Sequence, residues 1–276
     1  MRFRVFDRRR CPVTSQSTRR SAVADMYRRV FRPPFEIPLA LITNAVLVTL
    51  AWFLVPPRVH DWLFSLHGPL AFPVVVASWM LGDTPSTNVA GLDTTKALSV
   101  LEDAAAFRNW LLARCVVLTS LVGVPTAVIA LVMGFQGQPV VKVVAVCVVL
   151  AILPFGILPI AAWLGLLLPY HPKTIRWRWD HRRDWRRIAR WGLLLLAPFV
   201  IVPAVATIVV SPSLWLAREV FGAPHPPLSD TRFALVALTI CVSALLAGWL
   251  GLWGAGRLRI RQHDRLASYL RDPSAG

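Results

Sequence analysis

Two stretches of this chain carry side chains whose types and spacing can do chemistry. In the first, Trp177, Trp179, Trp185 and Trp191 interleave with Arg176, Arg178, Arg182, Arg183, Arg186, Arg187 and Arg190. Guanidinium groups bind phosphate, and indoles either stack on bases or anchor in a lipid headgroup layer. Apolar blocks flank this stretch on both sides, which points to anionic lipid headgroups and away from nucleic acid. In the second, Asp93, Leu98, Leu101, Glu102, Asp103 and Arg108 lie in a segment nearly balanced in charge. Asp93 or Thr94 is placed to cap a helix starting near Lys96. Leu98, Leu101, Ala105 and either Phe107 or Leu112 then form an apolar stripe, with Glu102, Asp103 and Arg108 on other faces. Anionic lipid repels Glu102 and Asp103, so the stripe predicts docking onto a cytoplasmic protein; a plain extension of the next membrane helix is the alternative.

Catalysis finds no such footing. The apolar blocks hold no carboxylate pair, and the chain has no His/Cys cluster at metal-ligand spacing, no Gly-x-Ser-x-Gly elbow and no Gly-x-x-x-x-Gly-Lys-Ser/Thr nucleotide loop. The expectation is a protein that is not an enzyme and that takes no cofactor and no metal. His60, His67, His171, His181 and His263 sit beside the ends of apolar blocks, where interfacial histidines are ordinary. Cys115, Cys147 and Cys241 fall inside the blocks and read as small hydrophobes.

The elements that must position these stretches are membrane helices. Of the 276 residues 56% are hydrophobic and 16% charged, and the mean hydropathy of +0.57 is far from that of a soluble domain. Six apolar blocks, at about 37–55, 63–82, 111–133, 140–168, 191–210 and 233–254, each suit a hydrocarbon core about 30 Å thick. The fourth is longer than the core needs, and Pro154 and Pro159 within it offer a kink or hinge. The leader to residue 34 holds ten arginines, 171–190 holds eight Lys and Arg, and the tail from Arg257 holds five. With six spans all three clusters share one side, so the positive-inside rule predicts that both termini are cytoplasmic. The fold expected is all-α: a basic leader (1–34), a six-helix membrane domain (35–256) and a basic tail (257–276). The first part of the leader reads as disordered. Its Ala22–Phe31 stretch suits a short helix on the membrane, with Val23, Met26, Val30 and Phe31 toward lipid. Gly123 with Ala127, Ala161 with Gly165 and Gly251 with Ala255 allow close helix approach, within one chain or across a dimer.

The run from Thr87 to Gly134 resembles the central region of ABC-2 type transporter permeases, where an Asn-x-x-Gly-x-Asp turn precedes an amphipathic helix. Asn88, Gly91 and Asp93 match the turn, Arg114 stands where a basic residue opens the third span, and Pro125 matches a proline within it. The resemblance implies six spans in a bacterial plasma membrane and short membrane-dipping helices before the last span, which 211–230 can supply. It also implies a separate ATPase subunit, pairing with a second permease copy or partner, and export of hydrophobic or amphipathic cargo. The helix holding Leu98 to Arg108 would then transmit ATPase closure to the bundle. A second expectation, from the basic surfaces alone, is a non-transporting membrane scaffold that binds partners or anionic lipid.

Overall fold

The computed structural model describes residues 15–33, 35–56, 59, 70–135, 137–171, 184–220 and 228–272, with side chains for all of these except 15–21, 84, 85, 187, 188, 190 and 191. Every regular element among them is helical. In chain order they are α1 (Ser15–Val30), α2 (Glu36–Leu54), α3 (Ala71–Leu81), the single turns α4 (Thr84–Thr87) and α5 (Val89–Leu92), α6 (Thr94–Leu101), α7 (Ala104–Gly134), α8 (Val140–Leu167), α9 (Trp185–Trp215), α10 (Asp230–Arg261) and α11 (His263–Arg271).

Five helical stretches are long and apolar enough to cross a bilayer: Glu36–Leu54, Ala104–Gly134, Val140–Leu167, Gly192–Val220 and Asp230–Arg261. The second expected span appears as the shorter apolar helix α3, and its first part, 63–69, lies outside the described residues. Large apolar side chains such as Leu39, Ile42 and Leu47 on α2, and Leu238, Leu246 and Trp249 on α10, are exposed on the outside of the bundle. That surface suits a lipid solvent, against which apolar side chains cost nothing. The protein is therefore an all-α, multi-pass membrane type.

Small residues set the tightest contact, between α8 and α10. A Cβ on Gly156 would lie 2.7 Å from the Ala244 backbone, one on Gly248 2.8 Å from the Phe155 carbonyl oxygen, and one on Gly251 2.7 Å from Pro159 Cβ. Backbones thus meet where lipid gives no hydrophobic drive and packing must hold helices together. Trp163 Nε1 donates to the Gly251 carbonyl at 2.8 Å, tying the same pair. Gly123 approaches the Leu150 carbonyl of α8, and Gly165 approaches the backbone at Thr87. All three small-residue pairs flagged by the sequence therefore serve contacts within one chain. Pro154 and Pro159 lie inside α8, are both buried, and leave it one continuous helix; movement at Pro159 requires α10 to repack.

At roughly 1.5 Å per residue, α7 and α10 reach about 46 and 48 Å, well beyond the hydrocarbon. Their overhanging ends, the N-terminal turns of α7 and the C-terminal turns of α10, form a basic end on which α1, α6 and α11 pack. Met26 and Val30 of α1, Val100 and Leu101 of α6, Phe107 and Leu111 of α7, and Leu266 and Leu270 of α11 are buried in one continuous core with the bundle. Three expectations are corrected here. Met26 and Val30 face protein and not lipid, and only Phe31, 49% exposed, keeps an outward position. The helix expected through Lys96 to Arg108 breaks at Glu102 and Asp103, because the Asp103 carboxylate accepts from Ala105 N–H at 2.8 Å and starts α7 there. Over the described part of 211–230, α9 simply continues into a π-helical turn at Leu216–Val220, where dipping helices were expected.

Candidate functional site at the basic end

The turn between α3 and α6 is held by a side chain with 1% exposure, Asn88. Its Oδ1 accepts from Gly91 N–H at 3.2 Å, capping α5, and its Nδ2 donates to the Tyr170 carbonyl at 2.8 Å. Tyr170 N–H lies 3.5 Å from the same Oδ1, so one amide addresses both backbone groups of a residue just past α8. The approach leaves no room for side chains. A Cβ on Gly91 would stand 2.0 Å from the Tyr170 carbonyl oxygen, and one on Gly165 2.1 Å from that of Thr87. Glycine is required at both positions by contact, not by dihedral angle.

Asp93, half-buried, begins the next layer. Its Oδ1 accepts from Lys96 N–H at 3.2 Å and caps α6, while its Oδ2 pairs with Arg29 Nη1 of α1 at 3.1 Å. Arg29 Nε also donates to Asp25 at 2.8 Å. The hydrogen bond from Arg29 is the largest influence on Asp25 and lowers its carboxyl below the ordinary value, against a smaller opposing effect of burial. The same bond raises Arg29. Tyr27 and Ser120 hydroxyls bond α1 to α7 further along. Buried Arg114 on α7 lies within electrostatic reach of Asp93. Asn44 of α2 donates to Asp83 at 2.9 Å, so the first span is tied to the same turn.

The far end of α6 is closed from α10. Arg259 Nη1 donates to the Leu101 carbonyl at 2.6 Å, placing a cation on the C-terminal end of the helix dipole. The Arg259 guanidinium lies 6.0 Å from the Phe107 ring centroid. Beneath it α11 packs on α6, and Tyr269 stacks on His171 with ring centroids 5.1 Å apart and 10° between planes. His171 Nε2 lies 3.1 Å from the Tyr269 carbonyl.

The residues named from the sequence are thus distributed unequally. Asp93 caps α6, as its position suggested. Leu101 is buried and Leu98 half-buried, so the stripe meant for a partner is covered largely by α7 and α11 of the same chain. Glu102, Asp103 and Arg108 are exposed at the α6–α7 elbow. Of the Arg/Trp set, Arg176, Trp177, Arg178, Trp179, Arg182 and Arg183 lie outside the described residues, as does the side chain of Arg187. Trp185 and Arg186 are exposed at the start of α9, with the guanidinium 5.9 Å from the indole centroid. Sequence reasoning missed Asn44, Asp25, Arg29 and Arg259, whose partners stand 39 to 158 residues away except for the Asp25–Arg29 pair at i,i+4. It also missed Arg257, whose guanidinium lies 4.3 Å from the Trp253 ring centroid one turn back on α10, an interfacial pair legible from its spacing alone.

Around the elbow Asp93, Asp103 and Arg259 are spent on backbone caps. Among the described residues no group of three or more His, Cys, Asp or Glu gathers as a metal site. What the arrangement can do is mechanical: a displacement of α6 is passed to α1 through Asp93, to α10 through Arg259, to α7 through the elbow, and to α8 through the Asn88 turn. No known protein family, curated protein or solved structure matches this chain.

Proposed function

We propose that this chain is the membrane-spanning permease subunit of an exporter driven by separate ATPase subunits, with six spans in a bacterial plasma membrane and both termini in the cytoplasm. The observation that carries the reading is the attachment of α6. A short helix with an exposed elbow at Glu102 and Asp103 is tied to α1, α7, α8, α10 and α11. A partner pressing on that elbow moves three membrane helices together, which is what transmission from an ATPase requires. ATP hydrolysis belongs to the partner in this reading, and the largely apolar helices favour hydrophobic or amphipathic cargo, carried with a second permease copy or partner.

One observation favours a different reading, a non-transporting scaffold. The apolar face of α6 is occupied by the chain's own α7 and α11, leaving a polar elbow and basic surfaces for contact. Co-purification separates the two. The exporter reading expects an ATPase to accompany the detergent-solubilised chain, with Glu102→Lys plus Arg108→Glu releasing it and abolishing vanadate-sensitive turnover in proteoliposomes. A well-folded preparation that carries no ATPase and shows no such turnover sinks the exporter in favour of the scaffold. Cysteine labelling at residues 183 and 271 tests the topology beneath both, which requires the two positions to share a compartment.

A further inference from the structure

α2 leans on α3 and stands apart from α7, and the space between them is an open apolar groove of about 470 Å³. Ala45 and Thr49 on α2 face Leu121 and Pro125 on α7, over a floor made by Val76 and Met80 of α3. The Thr49 hydroxyl is already spent on the Ala45 carbonyl of its own helix, at 2.7 Å. Little is left to hold an ordered water, so the occupant is hydrocarbon. Pro38 and Leu50 both line the groove, and their separation of twelve positions corresponds to about 18 Å along a helix. That is close to the half-thickness of a hydrocarbon core about 30 Å deep, the depth one acyl chain occupies.

The basic end of the groove is lined by Phe31, at the close of α1. Arg28 and Arg32 lie three residues before and one after it; both are exposed, and neither forms an ion pair with a described residue. Arg32 feels Asp25 at longer range, but Asp25 already spends its carboxylate on Arg29. The α1–α2 turn passes through Phe35 at φ 57, a left-handed conformation unusual for a bulky residue. An apolar slot one leaflet deep thus opens beside two exposed cations that form no ion pair with a carboxylate among the described residues.

We propose that this groove seats one acyl chain of an anionic phospholipid whose phosphate lies between Arg28 and Arg32. The site rests on the protein being embedded in a bilayer and is independent of transport, so it stands or falls separately from the exporter. A zwitterionic lipid of the same chain length fits the groove but gains less at its mouth.

Native mass spectrometry of the full chain, delipidated in mild detergent and titrated with dioleoyl phosphatidylglycerol or dioleoyl phosphatidylcholine, tests the assignment. A single phosphatidylglycerol retained per chain, in preference to phosphatidylcholine, is expected. Arg28→Gln with Arg32→Gln should weaken that retention about thirtyfold at low salt, at the known cost of losing two cations from an anionic surface, and level the two lipids. Ala45→Phe, which fills the groove, should abolish retention of both; Thr49→Phe serves if the first variant fails to purify. Equal retention of the two lipids by the unaltered chain overturns the proposal. So does phosphatidylglycerol retention that survives groove filling, or a dimer that groove filling splits, which would make a second copy the occupant.

Discussion

Replacing Asn88 by alanine removes one side chain that serves two structural purposes, and the geometry assigns each a magnitude. Loss of the cap on α5, which Gly91 N–H donates to at 3.2 Å, costs about 1 kcal/mol. Loss of the 2.8 Å bond to the part-buried Tyr170 carbonyl costs about 1–3 kcal/mol. The 3.5 Å contact from Tyr170 N–H is too long to add much. Asn88→Ala should therefore destabilise the chain by about 2–4 kcal/mol. Asn88→Ser separates the contributions, because a hydroxyl can still accept from Gly91 N–H but is too short to reach Tyr170, so about 1 kcal/mol returns. Unfolding by SDS titration in mixed micelles, followed through tryptophan fluorescence, reads both differences. An Asn88→Ala chain within about 0.5 kcal/mol of the unaltered one would refute the claim that this amide holds the turn to α8. A serine variant as damaged as the alanine one would remove the capping share.

Two further outcomes follow from contacts elsewhere. Asp25 has a folded carboxyl value below its ordinary one, so its contact with Arg29 contributes stability that is present above about pH 4 and is lost as pH falls through the lowered value. Asp25→Asn should thus reduce hydrogen-exchange protection of α1 at neutral pH, and the difference from the unaltered chain should shrink progressively as pH falls below about 4; equal protection at neutral pH would exclude the contact as a tether. In the bilayer region, Trp163→Phe removes the bond to the Gly251 carbonyl and should cost about 0.6–1.7 kcal/mol in the same SDS titration. Gly248→Leu should disrupt the α8–α10 pair altogether, since even a Cβ would stand 2.8 Å from the Phe155 carbonyl oxygen, and a stably folded Gly248→Leu chain would contradict that packing.

The spans were legible because lipid imposes one strong requirement, an uninterrupted apolar length, and it survives without tertiary information. The first apolar block, read as 37–55, is helical over Glu36–Leu54, and the fourth, read as 140–168, over Val140–Leu167. Helix ends beyond the lipid were less legible, since local hydrogen bonds decide them. The stripe from Leu98 to Phe107 has the period of one helix, yet Asp103 competes for backbone N–H groups and divides it, so Leu101 and Phe107 enter the core from two different helices. Asp93 was readable as a cap because its partner is three residues away. Its second partner, Arg29, stands 64 residues earlier, and the Tyr170 partner of Asn88 stands 82 residues later. Small residues announced close approach without naming the helix approached, which for both Gly251 and Gly123 is α8.

The two halves of this molecule are held by different forces, and that difference has a functional consequence. Inside the apolar length, α8 and α10 meet through glycine, alanine and proline surfaces, and such packing responds weakly to pH or salt. At the basic end, α1, α6 and the turn at Asn88 are joined by charged and polar bonds within reach of water, where carboxylates can be protonated and ion pairs screened. These bonds lie outside the α8–α10 contact, so loosening them releases α1 and the Asn88 turn while leaving that contact intact. In the exporter reading proposed above, a partner acting at the exposed elbow would work against the weaker, adjustable set of contacts, with the bundle beneath it moving as a packed unit.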